Sequence, residues 1–162
     1  AVIEVPAEEE VAMTYVKEGY AKYLSMLVVP AGGLGEPSAM ATDERFDEMH
    51  QLVGSPYPME GTGTIFVEMP NSYSGATLAL VGDATGTTWY RDEELDWDPN
   101  LTASTPGGGG GFTEVSPGVA QVDIGNANCT IARGWPGDAD NRLKILVMEG
   151  FMSRSSVRCE AP

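Results

Sequence analysis

Short runs in which apolar and polar residues alternate make up most of the chain. Alternation over about four to eight positions is typical of a half-buried β-strand. It predicts strands at residues 10–16, 23–29, 63–69, 76–81, 87–90, 111–115, 119–124, 143–147 and 151–157. Turn dipeptides such as Pro70-Asn71 and Pro136-Gly137 lie between the runs. The pattern therefore predicts an all-β protein with two longer loops, at residues 91–100 and 134–141.

One segment has the periodicity of a helix. Phe46, Met49 and Val53 recur at spacings of three and four, which places them on one helix face. Thr42 is a suitable N-cap, and the acidic residues after it favour the first turn of a helix. We predict one helix over residues 43–53.

Five consecutive glycines, Gly107 to Gly111, run directly into Phe112. A phosphate-binding loop would continue with Lys-Ser or Lys-Thr and a helix, whereas the residues from Phe112 to Val115 alternate like a strand. Two interpretations remain. The glycines form an edge without side chains, where a neighbouring backbone packs closely or pairs, or they form a flexible loop without a function.

Composition narrows the fold and the partners. The 20 glycines and 11 prolines favour many short strands, and 162 residues suffice for one well-buried domain. A net charge of −15 disfavours nucleic acid and anionic membrane surfaces as partners. No apolar run approaches the roughly 20 residues of a membrane helix, so we expect no membrane insertion in this segment.

The two cysteines, Cys129 and Cys159, are too far apart in sequence for a CxxC metal or redox motif. We predict that they form a disulfide, with free buried thiols as the alternative. A disulfide favours an oxidising compartment, and therefore an extracellular or cell-surface location. The loop-entropy model gives such a bridge a stabilising effect of about 3 to 4 kcal/mol.

Two stretches of the chain carry a family resemblance. They are "GFTEVSPGVAQVDI" (residues 111–124) and "VPAEEEVAMTYVKEGYAKYL" (residues 5–24), and both resemble the carboxypeptidase regulatory-like family. The likeness covers about residues 60–159, and the second half is most similar to the versions found in secreted and lipid-anchored bacterial proteins. The resemblance implies a seven-stranded transthyretin-like or Ig-like sandwich without catalytic activity, used as a spacer, folding or interaction module.

The N-terminal strand pair looks like the end of a preceding repeat whose beginning is absent. We therefore divide the chain into residues 1–40, a strand pair with a linker, and residues 41–162, a helix followed by the sandwich. The pair carries more apolar surface than an isolated hairpin can bury. We expect this surface to form an interface: Val11, Met13, Tyr15, Leu24 and Met26.

Three arrangements would cover that surface. The favoured one is strand addition to a neighbouring copy, which in a head-to-tail arrangement produces a filament. The others are packing against the chain's own sandwich, and a trimmed fragment of a larger protein.

Two acidic segments are candidate calcium sites. Asp96, Asp98 and Asn100 have the spacing that opens a calcium loop, although Leu101 and Gly107 stand where such a loop needs Gly and Glu. A second, weaker cluster follows near the C-terminal half: Asp138, Asp140 and Asn141. The alternative for both is a solvated acidic loop that keeps the protein in solution.

Evidence for catalysis in the sequence is weak. The single histidine, His50, has no Ser or Cys partner at a recognisable spacing, and we interpret it as a residue on the helix surface. A carboxylate pair for glycoside cleavage stays an alternative, because 24 acidic residues always offer pairs. Four aromatic residues either form a platform for sugar rings or close the ends of the sandwich: Trp89, Tyr90, Trp97 and Trp135.

These observations lead to one expected function and two alternatives. We expect a non-catalytic, self-associating structural module of the cell surface, whose partners are proteins, including copies of itself, and which acts as the subunit of a filament or appendage. The first alternative is an adhesin domain that binds calcium or carbohydrate. The second is a glycosidase-like enzyme.

Overall fold

The computed structural model describes residues 8–30 and 40–162 and confirms the all-β class. The described part contains twelve strands and one helix. In chain order the elements are β1 (Glu10–Tyr15), β2 (Lys22–Val28), α1 (Asp43–Leu52), β3 (Gly63–Glu68), β4 (Thr77–Leu80), β5 (Thr87–Arg91), β6 (Trp97–Asp98), β7 (Gly109–Val115), β8 (Gly118–Gly125), β9 (Asn128–Arg133), β10 (Trp135–Pro136), β11 (Arg142–Val147) and β12 (Phe151–Glu160).

The strands form two sheets. The large sheet has the order β1-β2-β12-β3-β7-β5-β6, and β9 pairs with the last part of β12. The small sheet has the order β10-β11-β8-β4. The small sheet covers one face of the large sheet, and α1 packs on the other face. The sandwich therefore has a helix as a third layer.

Side chains on the large sheet alternate between these two faces. On β3, Ile65 and Val67 belong to the core between the sheets, whereas Phe66 belongs to the core under the helix. The same alternation separates Trp89 from Tyr90 on β5. Because both faces are covered, the central strands are buried along nearly their whole length.

The number of strands is larger than predicted. All the strands that alternation predicted are present, but β6, β9 and β10 were missed, and the seven-stranded count is wrong. Two of them, β6 and β10, contain only two residues each and lie inside the predicted loops 91–100 and 134–141. Strand β9 has mostly exposed residues and so gives no apolar signal.

The predicted helix is confirmed, and its N-terminus has the predicted cap. The Thr42 hydroxyl accepts a hydrogen bond from the backbone N–H of Arg45 at 3.2 Å. This bond satisfies one of the free donors of the first helical turn. Phe46 is fully buried on the face that meets the large sheet.

The N-terminal strand pair packs against its own chain. Strand β2 is antiparallel to β1 and parallel to β12, so it continues the large sheet. The Trp135 indole N–H lies 3.1 Å from the carbonyl oxygen of Leu27 and 3.3 Å from that of Val11. Glu10 on β1 also forms a 2.6 Å ion pair with Lys144 on β11, which is a second contact with the small sheet.

The favoured prediction, that this strand pair adds to the sheet of a neighbouring copy, is therefore replaced by packing within the same chain. Leu24 and Met26 are completely buried in the core of the same chain, and a neighbouring copy is not needed to cover them. The division between residues 40 and 41 stays a prediction, although strands on both sides of it lie in one sheet.

Three of the five glycines, Gly109 to Gly111, begin the buried strand β7, and Gly107 and Gly108 lie in the turn before it. Strand β7 is paired on one side with β3 and on the other with β5. A Cβ atom added at Gly111 would lie 1.8 Å from the carbonyl oxygen of Ile65, and one at Gly110 would lie 2.5 Å from Cδ1 of Tyr90. The flexible-loop interpretation is thus wrong for these positions, and close backbone packing is the reason for glycine.

The predicted disulfide is present. Cys129 on β9 lies directly opposite Cys159 on β12, and the two sulfur atoms are bonded. The chain has no free cysteine. The bridge holds the mostly exposed strand β9 to β12, an interior strand of the large sheet.

Candidate functional site

The face of the large sheet under the helix carries an aromatic core. The rings of Trp89 and Trp97 are stacked, with 4.0 Å between their centroids, and Phe46 meets Trp97 edge to face at 5.5 Å. Trp89 and Trp97 are buried, as are Tyr90 and Trp135 in the other core. The predicted sugar platform is therefore wrong, and these residues close and fill the sandwich.

Gly111 contributes to this core by having no side chain. It lies between Phe66 on β3 and Trp89 on β5 in the register of the sheet. The two rings stack over the gap, with 5.6 Å between their centroids. Aromatic side chains from neighbouring strands thus replace the missing glycine side chain and cover the backbone of β7.

His50 is buried in the same core, so its predicted place on the helix surface is wrong. Its ring lies 4.8 Å from that of Phe46, and its Nε2 lies 3.3 Å from the Thr64 hydroxyl oxygen. Burial lowers the pKa of His50 to about 4. The imidazole is therefore a weak base, and it is out of reach of a substrate, so this position does not suit a general base.

The helix leaves part of the sheet face uncovered, and a cavity of about 380 Å³ lies there. Its lining is mostly apolar, with charged residues at one side. The lining residues are Tyr23, Met40, Ala41, Phe46, Met49, Phe66, Glu68, Arg91, Trp97, Met152 and Arg154.

Two arginines share one carboxylate at the charged side of the cavity. Nη2 of Arg154 lies 2.8 Å from Oε2 of Glu68. The guanidinium of Arg91 lies over the ring of Phe66, 5.1 Å from its centroid. Burial lowers the pKa of Arg91 below the usual value of an arginine, and Glu68 opposes this shift. Within the described residues, no side chain accepts a hydrogen bond from the Arg91 guanidinium.

Tyr23 adds a neutral donor to this group. Its hydroxyl oxygen accepts a hydrogen bond from the backbone N–H of Ala41 at 3.2 Å, which leaves the hydroxyl proton for another partner. Burial raises the pKa of Tyr23, and the nearby charges of Arg154 and Arg91 oppose that rise. A hydroxyl donor and two guanidinium groups therefore lie close together beside an apolar surface.

The first predicted calcium cluster is engaged in contacts within the protein. Asp96 forms an ion pair with Arg45, which also pairs with Glu48 at 3.1 Å. Asp98 accepts hydrogen bonds from the backbone and side-chain nitrogens of Asn100 at 2.8 and 2.9 Å. Calcium binding here stays a prediction without geometric support.

The second cluster lies beside a cavity of about 490 Å³ near the disulfide. Asp138 pairs with Arg142 at 2.6 Å, and Oδ1 of Asn141 accepts a hydrogen bond from the backbone N–H of Cys129 at 2.7 Å. Across residues 8–30 and 40–162, no three or more His, Cys, Asp or Glu side chains come together in a way that could hold a metal ion.

The predicted interface residues divide into two groups. Leu24 and Met26 lie in the core, as described above. Val11, Met13 and Tyr15 are half-buried on β1, the strand at one end of the large sheet. Only this second group lies where another molecule could reach it.

Compared with known proteins, the chain matches no family model, no curated protein and no solved structure. The resemblance to the carboxypeptidase regulatory-like family therefore stays an expectation. In the part of the chain that the structure describes, no helix is long and apolar enough to cross a membrane.

Sequence reasoning missed the arginines of the cavity. The predicted loop at 91–100 includes Arg91, whereas the structure places Arg91 at the end of β5, two residues after Trp89 and on the same face of the strand. That period of two was the signal that could have found it. Nothing local indicates that Arg154 and Glu68 lie beside it, because three different strands carry these side chains.

Proposed function

We propose that the chain is a non-catalytic structural module of an extracellular or cell-surface protein, and that it associates with a second copy of itself. The observation that carries this proposal is the position of β1. It ends the large sheet, and in the described part of the chain it pairs only with β2. Its outer backbone groups are therefore a template for another strand.

The sequence of β1 suits antiparallel pairing with its own copy. With Met13 opposite Met13 of the second copy, Val11 lies opposite Tyr15 and Ala12 lies opposite Thr14. The half-buried residues then continue on one face of a sheet shared by two molecules. Glu10 lies opposite Val16, so this register brings no like charges face to face within β1.

This contact uses the same surface of both copies, and it therefore closes as a dimer. A filament would require β1 to pair with a different edge. The opposite end of the large sheet is β6, which has two residues and offers little backbone for pairing. The dimer is thus better supported than the filament expected from the sequence.

The net charge affects the salt dependence of the dimer, and the disulfide affects the compartment in which the protein is stable. Each copy carries a charge of −15, so electrostatic repulsion opposes association. Added salt screens this repulsion and should therefore strengthen the dimer. The bond between Cys129 and Cys159 suits an oxidising compartment, which supports the proposed extracellular location.

Cross-linking tests the proposed register. A Met13→Cys variant places two thiols directly opposite each other across the dimer axis, and we expect a disulfide-linked dimer under mild oxidation. Val16→Cys is the control. Val16 is more accessible, with 65% of its surface exposed, but the two copies of this residue would be about 20 Å apart along the strands.

Sedimentation equilibrium of the unmodified protein at low and high salt completes the test, and peptide mapping confirms that the native disulfide is intact. A monomer at all concentrations would overturn the proposal. Equal cross-linking of Val16→Cys and Met13→Cys would show collision rather than strand pairing and would also overturn it. Long polymers in place of a dimer would contradict the dimer and support the filament expected from the sequence.

A further inference from the structure

We propose that the cavity beside α1 is a binding site for a small monocarboxylate with an apolar body. This inference is independent of the proposed self-association, since the cavity lies under the helix and not on the outer edge of β1. It rests on the charge, the donors and the apolar lining that the large sheet and the helix bring together.

The charge of the site selects an anion. Among the residues that the structure describes, Arg91 and Arg154 face one carboxylate, Glu68, so one of the two positive charges has no carboxylate of its own there. That excess lies in a protein with a net charge of −15. A partly buried cation without a partner loses hydration and gains no ion pair in exchange. One ligand carboxylate would supply the missing charge, whereas a dianion would exceed it.

The donors suit a carboxylate in particular. The guanidinium of Arg91 is flat and can donate two parallel hydrogen bonds to the two oxygens of one carboxylate. Its stacking on Phe66 restricts its orientation. Tyr23 can donate its hydroxyl proton to the same group, because its oxygen already accepts from Ala41. Nε of Arg154 is a buried donor that finds no acceptor in the described part of the chain.

The rest of the cavity suits an apolar body. Its lining includes Phe66, which lies under the Arg91 guanidinium, and three further apolar side chains, Trp97, Met49 and Met152. Methionine side chains adapt to ligands of different shape, and aromatic rings provide flat apolar contact. The volume of about 380 Å³ lies within the range of small-molecule pockets. A short aliphatic acid or an arylalkanoic acid would fit this combination.

The test compares an acid with its neutral amide. Titration of the full chain with 3-phenylpropionate, followed by calorimetry and by tryptophan fluorescence, should show saturable binding, because Trp97 lines the cavity. We expect 3-phenylpropionamide to bind at least about tenfold more weakly, since it carries no charge to pair with Arg91. Octanoate should compete with the acid for the same site.

Variants then assign the effect to the arginine. Arg91→Met keeps the apolar contacts and should weaken binding of the acid by about tenfold or more while leaving the amide unchanged. Arg91→Lys keeps the charge and should recover part of the affinity. Arg158→Met is the matched control, because Arg158 is exposed, does not line the cavity and changes the net charge equally. Melting curves verify that each variant is folded.

Several results would overturn the proposal. They are equal affinity for the acid and the amide, equal losses in Arg91→Met and Arg158→Met, and no saturable binding of either phenylpropionate or octanoate. Competition by inorganic sulfate at the same concentration as octanoate would also overturn it, because the apolar body would then contribute nothing.

Discussion

The two faces of the large sheet are covered in different ways. A second sheet packs across one face, and the core between them is mainly aliphatic. A single ten-residue helix packs on the other face, over a core that is mainly aromatic. A helix is about 10 Å wide, whereas seven strands at about 4.8 Å spacing extend much further. The helix therefore cannot cover its face completely, and the proposed ligand cavity lies in the part that it leaves open.

A substitution in β7, a strand covered on both faces, should cause the largest loss of stability. In Gly111→Ala the new methyl group meets the Ile65 carbonyl oxygen and the Trp89 ring at once. The Ile65 carbonyl cannot move away without disturbing the pairing of β3 with β7. We expect a loss of at least about 4 kcal/mol in the free energy of unfolding, measured by urea denaturation.

Gly82→Ala provides the control for this prediction. Gly82 has a positive φ of 74° but no atom within 4 Å of an added Cβ, so the substitution strains the backbone without a collision. We expect it to cost about 1 kcal/mol. If the two variants lost the same stability, close packing would not be the reason for glycine in β7.

Shortening one apolar side chain on each face of the large sheet should destabilise the protein by different amounts. Leu143 is completely buried between the sheets, and Leu143→Ala should destabilise the protein by about 2 to 5 kcal/mol. Met49 is half-buried and lines the open cavity, so Met49→Ala should cost about 1 kcal/mol or less, because water can fill the space. Denaturation in guanidinium chloride measures both, and equal losses would contradict an open cavity on the helix side.

The histidine of the helix-side core should make stability depend on pH. Its pKa is about 4 in the folded protein, against about 6.5 when unfolded. Between these values the unfolded chain binds a proton that the folded protein does not. Stability is therefore fully present above pH 6.5 and falls progressively as the pH is lowered toward 4.

Comparison with a His50→Gln variant isolates this effect from the acidic residues, which titrate in both proteins. Between pH 7 and 4 the unsubstituted protein should lose about 2 to 3 kcal/mol relative to the variant. Thermal melts at several pH values measure the difference. Parallel pH profiles of the two proteins would show that His50 can be protonated without unfolding.

The local elements were predictable because their signals are local. Alternation located each of the longer buried strands, and the spacing of Phe46, Met49 and Val53 located the helix. Strands β6 and β10 are held by pairing with β5 and β11, and two residues are too few for a pattern. Strand β7 was predicted from Gly111 onward, but its first two residues, Gly109 and Gly110, give no strand signal because glycine has a low strand propensity.

The candidate site was not predictable, because it depends on the order of strands in the sheet. Arg154 lies beside Phe66 only because β12 is parallel to β3. The burial of His50 does have a local signal. It lies four residues after Phe46 and so shares the face of the helix that packs on the sheet.

The place of β12 in the sheet determines the order in which the protein can fold. This strand lies between β2 and β3, and it is parallel to both, so its partners come from the opposite part of the sequence. Pairing over such distances must close large loops before any contact stabilises them, which makes folding slow. Until β12 is in place, β1 and β2 have no sheet to join, and their apolar side chains stay exposed to other chains. We therefore expect aggregation of this protein to be favoured during folding, while β1 and β2 still lack the strand that they pair with in the sheet.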